Sequence, residues 1–463
     1  MAKEKAKLMN IIDNLKGDKV VWMIFFLLML ISVVTIFSST STMAKGDTTR
    51  VDILVDQMKT IAMGLAAAIL VYNIKSMKVL RTLARFGFLG SMLLLGLLLS
   101  HETFLPIKAG TINGAWRVLK IGGFQVHIYE IIKVAMIMYL AWAVDSFTHG
   151  KLKLGEKLST LHPKAGWLAK PFVTKCIYIY FPMALVAVCM LPGSGSSAVF
   201  TGMVMFATVL IGGLNIRDLI LPIVLVIGLA GGFLALNHAS GYKFLDRQAT
   251  WESRISGSGD AIQQFKSARK NSPEYYEALG KFQQPYSAKI AVKQGGLAGK
   301  GPGKSTQRYK VAVMYEDFMY SFIIEEYGLM GGLVVMILYL SLLSRGSIIA
   351  RNCEDSFGKI TIAGLVLLIS GQAFLHMLVN VDLGPMTGQT LPLVSHGTSA
   401  FLVFSAAFGL ILSISRSSVK GVASEAKAEG SIMQNINTQE ASKDPVKSEL
   451  DALEAITEQF IEE

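Results

Sequence analysis

The feature that most constrains this chain is a series of apolar runs, each close to the length that a helix needs to cross a bilayer. One span takes about 20 apolar residues. Ten runs approach or exceed that length, near residues 20–38, 57–74, 84–100, 126–147, 171–191, 197–213, 218–237, 318–343, 359–380 and 394–415. The sequence therefore predicts an all-α polytopic membrane protein with about ten transmembrane helices.

The composition agrees with this class, since 52% of the 463 residues are hydrophobic and 17% are charged. The net charge of +11 is uneven, because residues 417–463 hold 4 basic and 10 acidic side chains. The positive charge thus belongs to the membrane part, where anionic lipid headgroups rather than nucleic acids are the natural partners. The three cysteines show no paired spacing, so neither a disulfide framework nor a zinc site is predicted.

Lysine and arginine in the short loops predict the orientation of the spans. The N-terminus and the second, fourth and eighth loops are rich in them, which places both termini in the cytoplasm. Three parts follow: a cytoplasmic segment 1–19, a transmembrane domain 20–415 and a cytoplasmic tail 416–463 that is disordered or holds a short helix. The long segment near 238–316, between the seventh and eighth spans, is predicted to face outward.

The stretch VMYEDFMYSFIIEEYG, residues 313–328, places four carboxylates in or beside an apolar run. Asp317, at the mouth of the eighth span, has two interpretations. It is either a helix N-cap or a general base, whose proton affinity partial desolvation would raise. Glu316 adjoins it. Glu325 and Glu326 lie about two turns further in and are predicted to hold the helix against polar partners.

Two further groups of polar residues are candidates for chemistry. Glu130 and Lys133, one helical turn apart in the fourth span, form either a structural ion pair or part of a polar cavity wall. The loop QGGLAGKGPGKSTQ, residues 294–307, with Lys293, Lys300 and Lys304, is suited to binding a phosphate or is simply flexible. Its glycine spacing does not fit a nucleotide-binding phosphate loop.

Residues 380–401, NVDLGPMTGQTLPLVSHGTSAF, contain helix breakers yet are too apolar for an ordinary loop. We predict a re-entrant element that lines a cavity. His376 lies just before this segment and His396 lies within it, and a structural role is expected for each more readily than a catalytic one.

The stretches GGLAGKGPGKSTQ, YEDFMYSFIIEEYGLMGG, GAWRVLKIGGF and GPMTGQTLPLVSHGTS occur in this order and together resemble the SEDS family (shape, elongation, division and sporulation). The charged N-terminal segment and long tail are more similar to its division branch, FtsW, than to its elongation branch, RodA. The resemblance implies a ten-helix enzyme that polymerises lipid II on the outer face of the bacterial cytoplasmic membrane. It also implies a class B penicillin-binding protein as the transpeptidase partner, alongside other divisome proteins.

The resemblance assigns expected roles to individual residues. Asp317 falls on the proposed catalytic aspartate. The substrate-binding set is expected to comprise Arg117, Glu130, Lys133, Lys293, Lys300, Lys304, Ser395 and His396, with support from Glu316, Glu325 and Glu326. Asp317 and Glu316 could hold a divalent cation, Mg²⁺ or Mn²⁺, which the sequence does not decide. The family's acid at the start of the sixth helix is Gly193 here, and its PSE motif is Ile128-Tyr129-Glu130.

Two functions from other classes stay open at this point. A transporter that flips lipid II would need the same polar groups along a membrane cavity. A scaffold that only recruits the transpeptidase would tolerate the loss of Asp317.

Overall fold

The computed structural model describes residues 16–40, 49–100, 103–104, 107–112, 115–122, 124–152, 170–240, 263, 265–270, 272–311, 314–384 and 386–416. Its longer helices, in chain order, are α1 Lys19–Ser39, α2 Arg50–Tyr72, α3 Met77–Leu99, α4 Ile128–Thr148, α5 Pro171–Met190, α6 Gly195–Ile211, α7 Ile216–Ala239, α8 Pro273–Gly295, α9 Met319–Arg351, α10 Ser356–Asn380 and α11 Thr398–Arg416. The predicted tail after Arg416 and most of the N-terminal segment lie outside the described residues.

Each predicted span coincides with one of these helices, and α8 lies in the long segment between the seventh and eighth spans. Among the described residues, eight helices, α1 to α5 and α9 to α11, are long and apolar enough to cross a membrane, while α6 is shorter. The all-α polytopic class is confirmed, and the count of ten spans stays a prediction.

The second helix begins earlier than its apolar run because of a polar cap. Thr49 Oγ1 accepts the Asp52 N–H, and Asp52 Oδ2 accepts the Thr49 N–H at 2.8 Å. Such a reciprocal capping box satisfies backbone donors that would otherwise lack partners. The helix therefore starts at Arg50, seven residues before the hydrophobic run suggests.

A small antiparallel sheet lies between α3 and α4, which the sequence analysis did not anticipate. Its strands are β1 Thr103–Phe104, β2 Ile107–Ile112, β3 Ala115–Ile121 and β4 Phe124–His127, paired in chain order. Strand β4 runs directly into α4, so the sheet is attached to the helix that carries Glu130 and Lys133. Three basic residues, Lys108, Arg117 and Lys120, lie on β2 and β3.

The centre of the bundle is formed by α4, α10 and α11, whose side chains are mostly buried, whereas most side chains of α2, α3 and α5 are partly or fully exposed. Helix α4 packs against α3, α6 and α10, and α10 also packs against α9. Exposed apolar faces on peripheral helices suit contact with lipid, because hydrocarbon carries no penalty for apolar surface. Polar side chains on the central helices are thus shielded from lipid.

Candidate active site

Asp317 lies at the junction between the long loop and α9. Its carbonyl oxygen accepts a hydrogen bond from Asn380 Nδ2 at 3.0 Å. The first N–H groups of α9 are satisfied from α10, because Asn380 Oδ1 accepts from Ser321 and His376 Nε2 accepts from Tyr320. The side chains of α10 therefore fix the start of α9, and the half-buried Asp317 with it.

The segment between α10 and α11 approaches Asp317 from the other side. Its described residues are non-helical, and residues 391–395 are buried. The re-entrant element stays a prediction. A Cβ added at Gly388 would lie 3.5 Å from Asp317 Oδ2, and the φ of +59° at Gly388 is in the left-handed region. Glycine thus allows the segment to pass close to the carboxylate.

Ser395 and His396 hold the residues just before Asp317. Ser395 Oγ donates to the carbonyl oxygen of Glu316 at 2.7 Å, and the His396 N–H donates to that of Tyr315 at 2.8 Å. The His396 ring packs edge-on against Tyr315, with Nδ1 3.9 Å from Glu316 Oε1. These contacts position the backbone of the loop beside Asp317.

Lys133 forms the centre of a second polar group, inside the bundle. Its fully buried Nζ lies 2.7 Å from Glu130 Oε1, 2.6 Å from Gln372 Oε1 and 3.2 Å from Gln389 Oε1. Three acceptors satisfy an ammonium group, which a buried cation requires. The second carboxylate oxygen of Glu130, Oε2, is buried without a hydrogen-bond partner. The predicted ion pair is present, and it has an unused acceptor.

Hydrogen bonds connect the two polar groups. The carbonyl of Gln389 accepts from His376 Nδ1 at 2.7 Å, and the carbonyl of His376 accepts from Asn380 Nδ2 at 2.8 Å. Because His376 Nε2 accepts an N–H, its proton lies on Nδ1. A chain of contacts therefore runs from Asp317 through Asn380, His376 and Gln389 to Lys133.

Arg117 enters the same region from strand β3. Its Nε donates to the carbonyl oxygen of Gly193 at 3.0 Å, just before the cap of α6. This bond ties the sheet to the N-terminal end of α6. The guanidinium is half-buried, so it is a cation held in place at the edge of the bundle.

His127, at the end of β4, belongs to this region and was missed by the sequence analysis. Burial lowers its pKa below the usual 6.5, and Arg117 and Lys133 act in the same direction, while Glu130 and Glu316 oppose them. These four charges therefore all act on one imidazole. The signal in the sequence was the position of His127 directly before the helix that carries Glu130.

The glycine-rich loop packs on a break in α9 rather than beside Asp317. At Gly328, φ is +72°, and the freed carbonyls of Glu325 and Glu326 accept from the N–H groups of Lys300 and Gly301. The Glu325 carboxylate accepts from Lys300 Nζ at 2.5 Å and from Ser305 Oγ at 2.5 Å.

Glu326 accepts from Ser38 Oγ on α1 at 2.7 Å. The two glutamates thus hold the loop and α1 against α9. Lys300 is engaged in this contact, whereas Lys293 and Lys304 are exposed.

A family model named FTSW_RODA_SPOVE and described as "Cell cycle protein" matches residues 18–420. The chain belongs to this family. The probable peptidoglycan glycosyltransferase FtsW of Caulobacter vibrioides (strain NA1000 / CB15N) is 27% identical over 347 residues, which cover 75% of this chain and 75% of that protein. The peptidoglycan glycosyltransferase MrdB of Escherichia coli (strain K12) is 36% identical over 140 residues, 30% of this chain and 38% of that protein.

A solved chain, from work on the structural coordination of polymerization and crosslinking by a peptidoglycan synthase complex, superimposes with a TM-score of 0.56. It is 20% identical and covers 86% of this chain and 98% of that chain. At this identity the likeness shows a shared fold. The polytopic architecture is thus one that this chain shares with that solved chain.

Within this member of the FtsW, RodA and SpoVE family, the predicted site residues fall into separate groups. One surrounds Asp317, one is centred on Lys133, and the third, at the break in α9, contains Lys300, Glu325 and Glu326. Among the described residues, no group of three His, Cys, Asp or Glu side chains is arranged to hold a metal ion.

Proposed function

We propose that this chain is a peptidoglycan glycosyltransferase that polymerises lipid II into glycan strands. The observation that carries the proposal is the placement of Asp317. Asn380 holds its backbone carbonyl, and Gly388 of the segment between α10 and α11 approaches its half-buried side chain. Relatives that match along most of the chain are named as enzymes of this type.

The proposed reaction needs one general base and one positively charged site that stabilises the departing pyrophosphate. Asp317 takes the proton of the acceptor sugar's 4-hydroxyl as that oxygen attacks the anomeric carbon of the donor. The bond from this carbon to the lipid pyrophosphate breaks, and the pyrophosphate leaves with the electron pair. A single displacement converts the α-linkage into a β-1,4 linkage, so one carboxylate suffices.

Cations near the site stabilise the leaving group. Arg117 is the best placed of the predicted set, because its guanidinium is held at the start of α6 beside the region of His127 and Glu130. Lys293 and Lys304 are exposed, and they can contact a substrate phosphate only where it reaches the loop at the break in α9. Asp317 and Glu316 are the carboxylates that would hold a divalent cation if the reaction uses one, because Mg²⁺ often binds through one or two carboxylates together with substrate phosphates.

The test is synthesis of glycan strands from lipid II by the purified protein in detergent or liposomes. Asp317→Asn keeps the size of the side chain and removes the base, so we expect a loss of about 10²- to 10⁴-fold. Asp56→Asn is the matched control, because Asp56 is an exposed carboxylate on α2 whose partner is Lys59. Undiminished synthesis by Asp317→Asn would contradict the assignment.

The same experiment separates the two rival functions. A lipid II flippase would move labelled lipid across vesicles and form no strands. A scaffold would do neither, and cells would tolerate Asp317→Asn. Strand formation by the wild type, lost on Asp317→Asn, would contradict both.

We propose that the partner is a transpeptidase of the class B penicillin-binding type. We also propose that this chain is a multi-pass protein of the bacterial cytoplasmic membrane with both termini in the cytoplasm. The solved chain that shares this fold comes from work on a peptidoglycan synthase complex that coordinates polymerization and crosslinking, which supports such a partner. We place the work at the division septum with other divisome proteins, because of the resemblance to the division branch of the family, and side-wall elongation is the alternative. A fluorescent fusion at the side wall would contradict the septal assignment.

A further inference from the structure

Tyr129 is a buried aromatic residue in the first turn of α4. It contacts the two residues that hold Arg117 in place, Trp116 and Gly193. Its Oη donates to the carbonyl oxygen of Trp116 at 3.1 Å. That carbonyl belongs to the peptide bond that joins Trp116 to Arg117. The first support therefore holds the backbone of Arg117 in strand β3.

The second support holds the guanidinium. Arg117 Nε donates to the carbonyl of Gly193, and the Tyr129 ring packs directly on Gly193. A Cβ added at Gly193 would overlap Tyr129 Oη and Cζ. The φ of Gly193 is not in the left-handed region, so the ring of Tyr129, rather than the backbone conformation, is what requires glycine at this position.

We propose that Tyr129 is a positioning residue that sets Arg117 for the pyrophosphate of lipid II, with Gly193 as its obligatory neighbour. This inference rests on the proposed function, because it gives Arg117 its substrate group. Tyr129 is 5% exposed, and a buried hydroxyl that donates to a backbone carbonyl restrains its position. The ring links β3, α4 and the start of α6, three elements whose relative placement decides where the guanidinium lies.

The first experiment is a double-mutant cycle on lipid II polymerisation by the full-length protein. Tyr129→Phe keeps the ring and removes the hydroxyl, so we expect kcat/KM to fall about threefold to tenfold, with the larger part of the change in KM. In the Arg117→Ala background the same change should have almost no further effect, because Tyr129 acts through Arg117.

Two results would overturn the proposal while leaving the proposed function standing. One is a Tyr129→Phe protein with wild-type kcat/KM. The other is an equal loss from Tyr129→Phe with and without Arg117. A wild-type protein that makes no strands would instead contradict the proposed function.

A second cycle, on thermal stability, needs no activity. Gly193→Ala should lower the melting temperature in the wild-type background, since the methyl group and the ring cannot occupy the same space. With Tyr129→Ala the space is open, and Gly193→Ala should then have little effect. Equal losses in both backgrounds would show that Tyr129 does not impose the glycine and would overturn that part of the proposal.

Discussion

Asn380 Nδ2 lies 3.0 Å from the carbonyl oxygen of Asp317, and Asn380 Oδ1 lies 2.9 Å from the backbone nitrogen of Ser321. One amide thus satisfies an acceptor before α9 and a donor in its first turn. Asn380 is the last residue of α10 and holds Asp317, the candidate base, just before α9. The position of Asp317 therefore depends on how α9 and α10 pack.

Asn380→Ala should reduce both stability and strand synthesis. The substitution leaves a buried N–H and a carbonyl without partners, which costs about 1–3 kcal/mol per unsatisfied group. Thermal unfolding in detergent and lipid II polymerisation measure the two effects. Asn73→Ala is the control, because Asn73 is exposed and its side-chain amide donates to the carbonyl of Ile69 in its own helix. Equal effects at both positions would contradict the role of Asn380.

Lys133→Met should destabilise the bundle strongly. Breaking a buried ion pair from one side costs about 3–5 kcal/mol, because the remaining charge stays buried. Adding Glu130→Gln should recover part of this loss. The control is Lys59→Met, which breaks an exposed pair of the same i,i+3 spacing with Asp56 and should cost about 0–1 kcal/mol. Similar losses of unfolding free energy at both sites would be inconsistent with the burial of Lys133.

The sequence predicted the positions of the helices because an apolar run is a local property of the chain. It could not predict the two glutamine partners of Lys133, since Gln372 and Gln389 are 239 and 256 residues away. The contact of Lys300 with Glu325 could not be predicted for the same reason, because Glu325 is 25 residues further along the chain. The strands of the sheet are short and directly follow an apolar span. No clear alternation of apolar and polar residues therefore distinguished them from a loop. Family motifs located Asp317 but not the contacts that hold it.

His127 should make the folded protein sensitive to mild acid. Burial lowers its pKa in the folded state below the usual 6.5, so the folded protein binds a proton less readily than the unfolded chain. Stability is therefore lost as the pH falls through 6.5 and levels off below the folded pKa. Melting temperatures at pH 7.5 and pH 5.5 should differ less in His127→Gln than in the wild type. The exposed His238, changed to Gln, is the control and should leave the difference unaltered.

Gly328→Ala should disrupt the protein at the break in α9. A φ of +72° is unfavourable for a residue with a Cβ, and the added atom would meet the backbone of Leu297 and Gly299. We expect a loss of stability of several kcal/mol by overpacking and strain. Gly90→Ala on α3 is the matched control, because nothing lies within 4 Å of the added methyl and alanine favours a helix by about 1 kcal/mol. If Gly328→Ala melted at the temperature of Gly90→Ala, the glycine-rich loop would not pack on α9 as described.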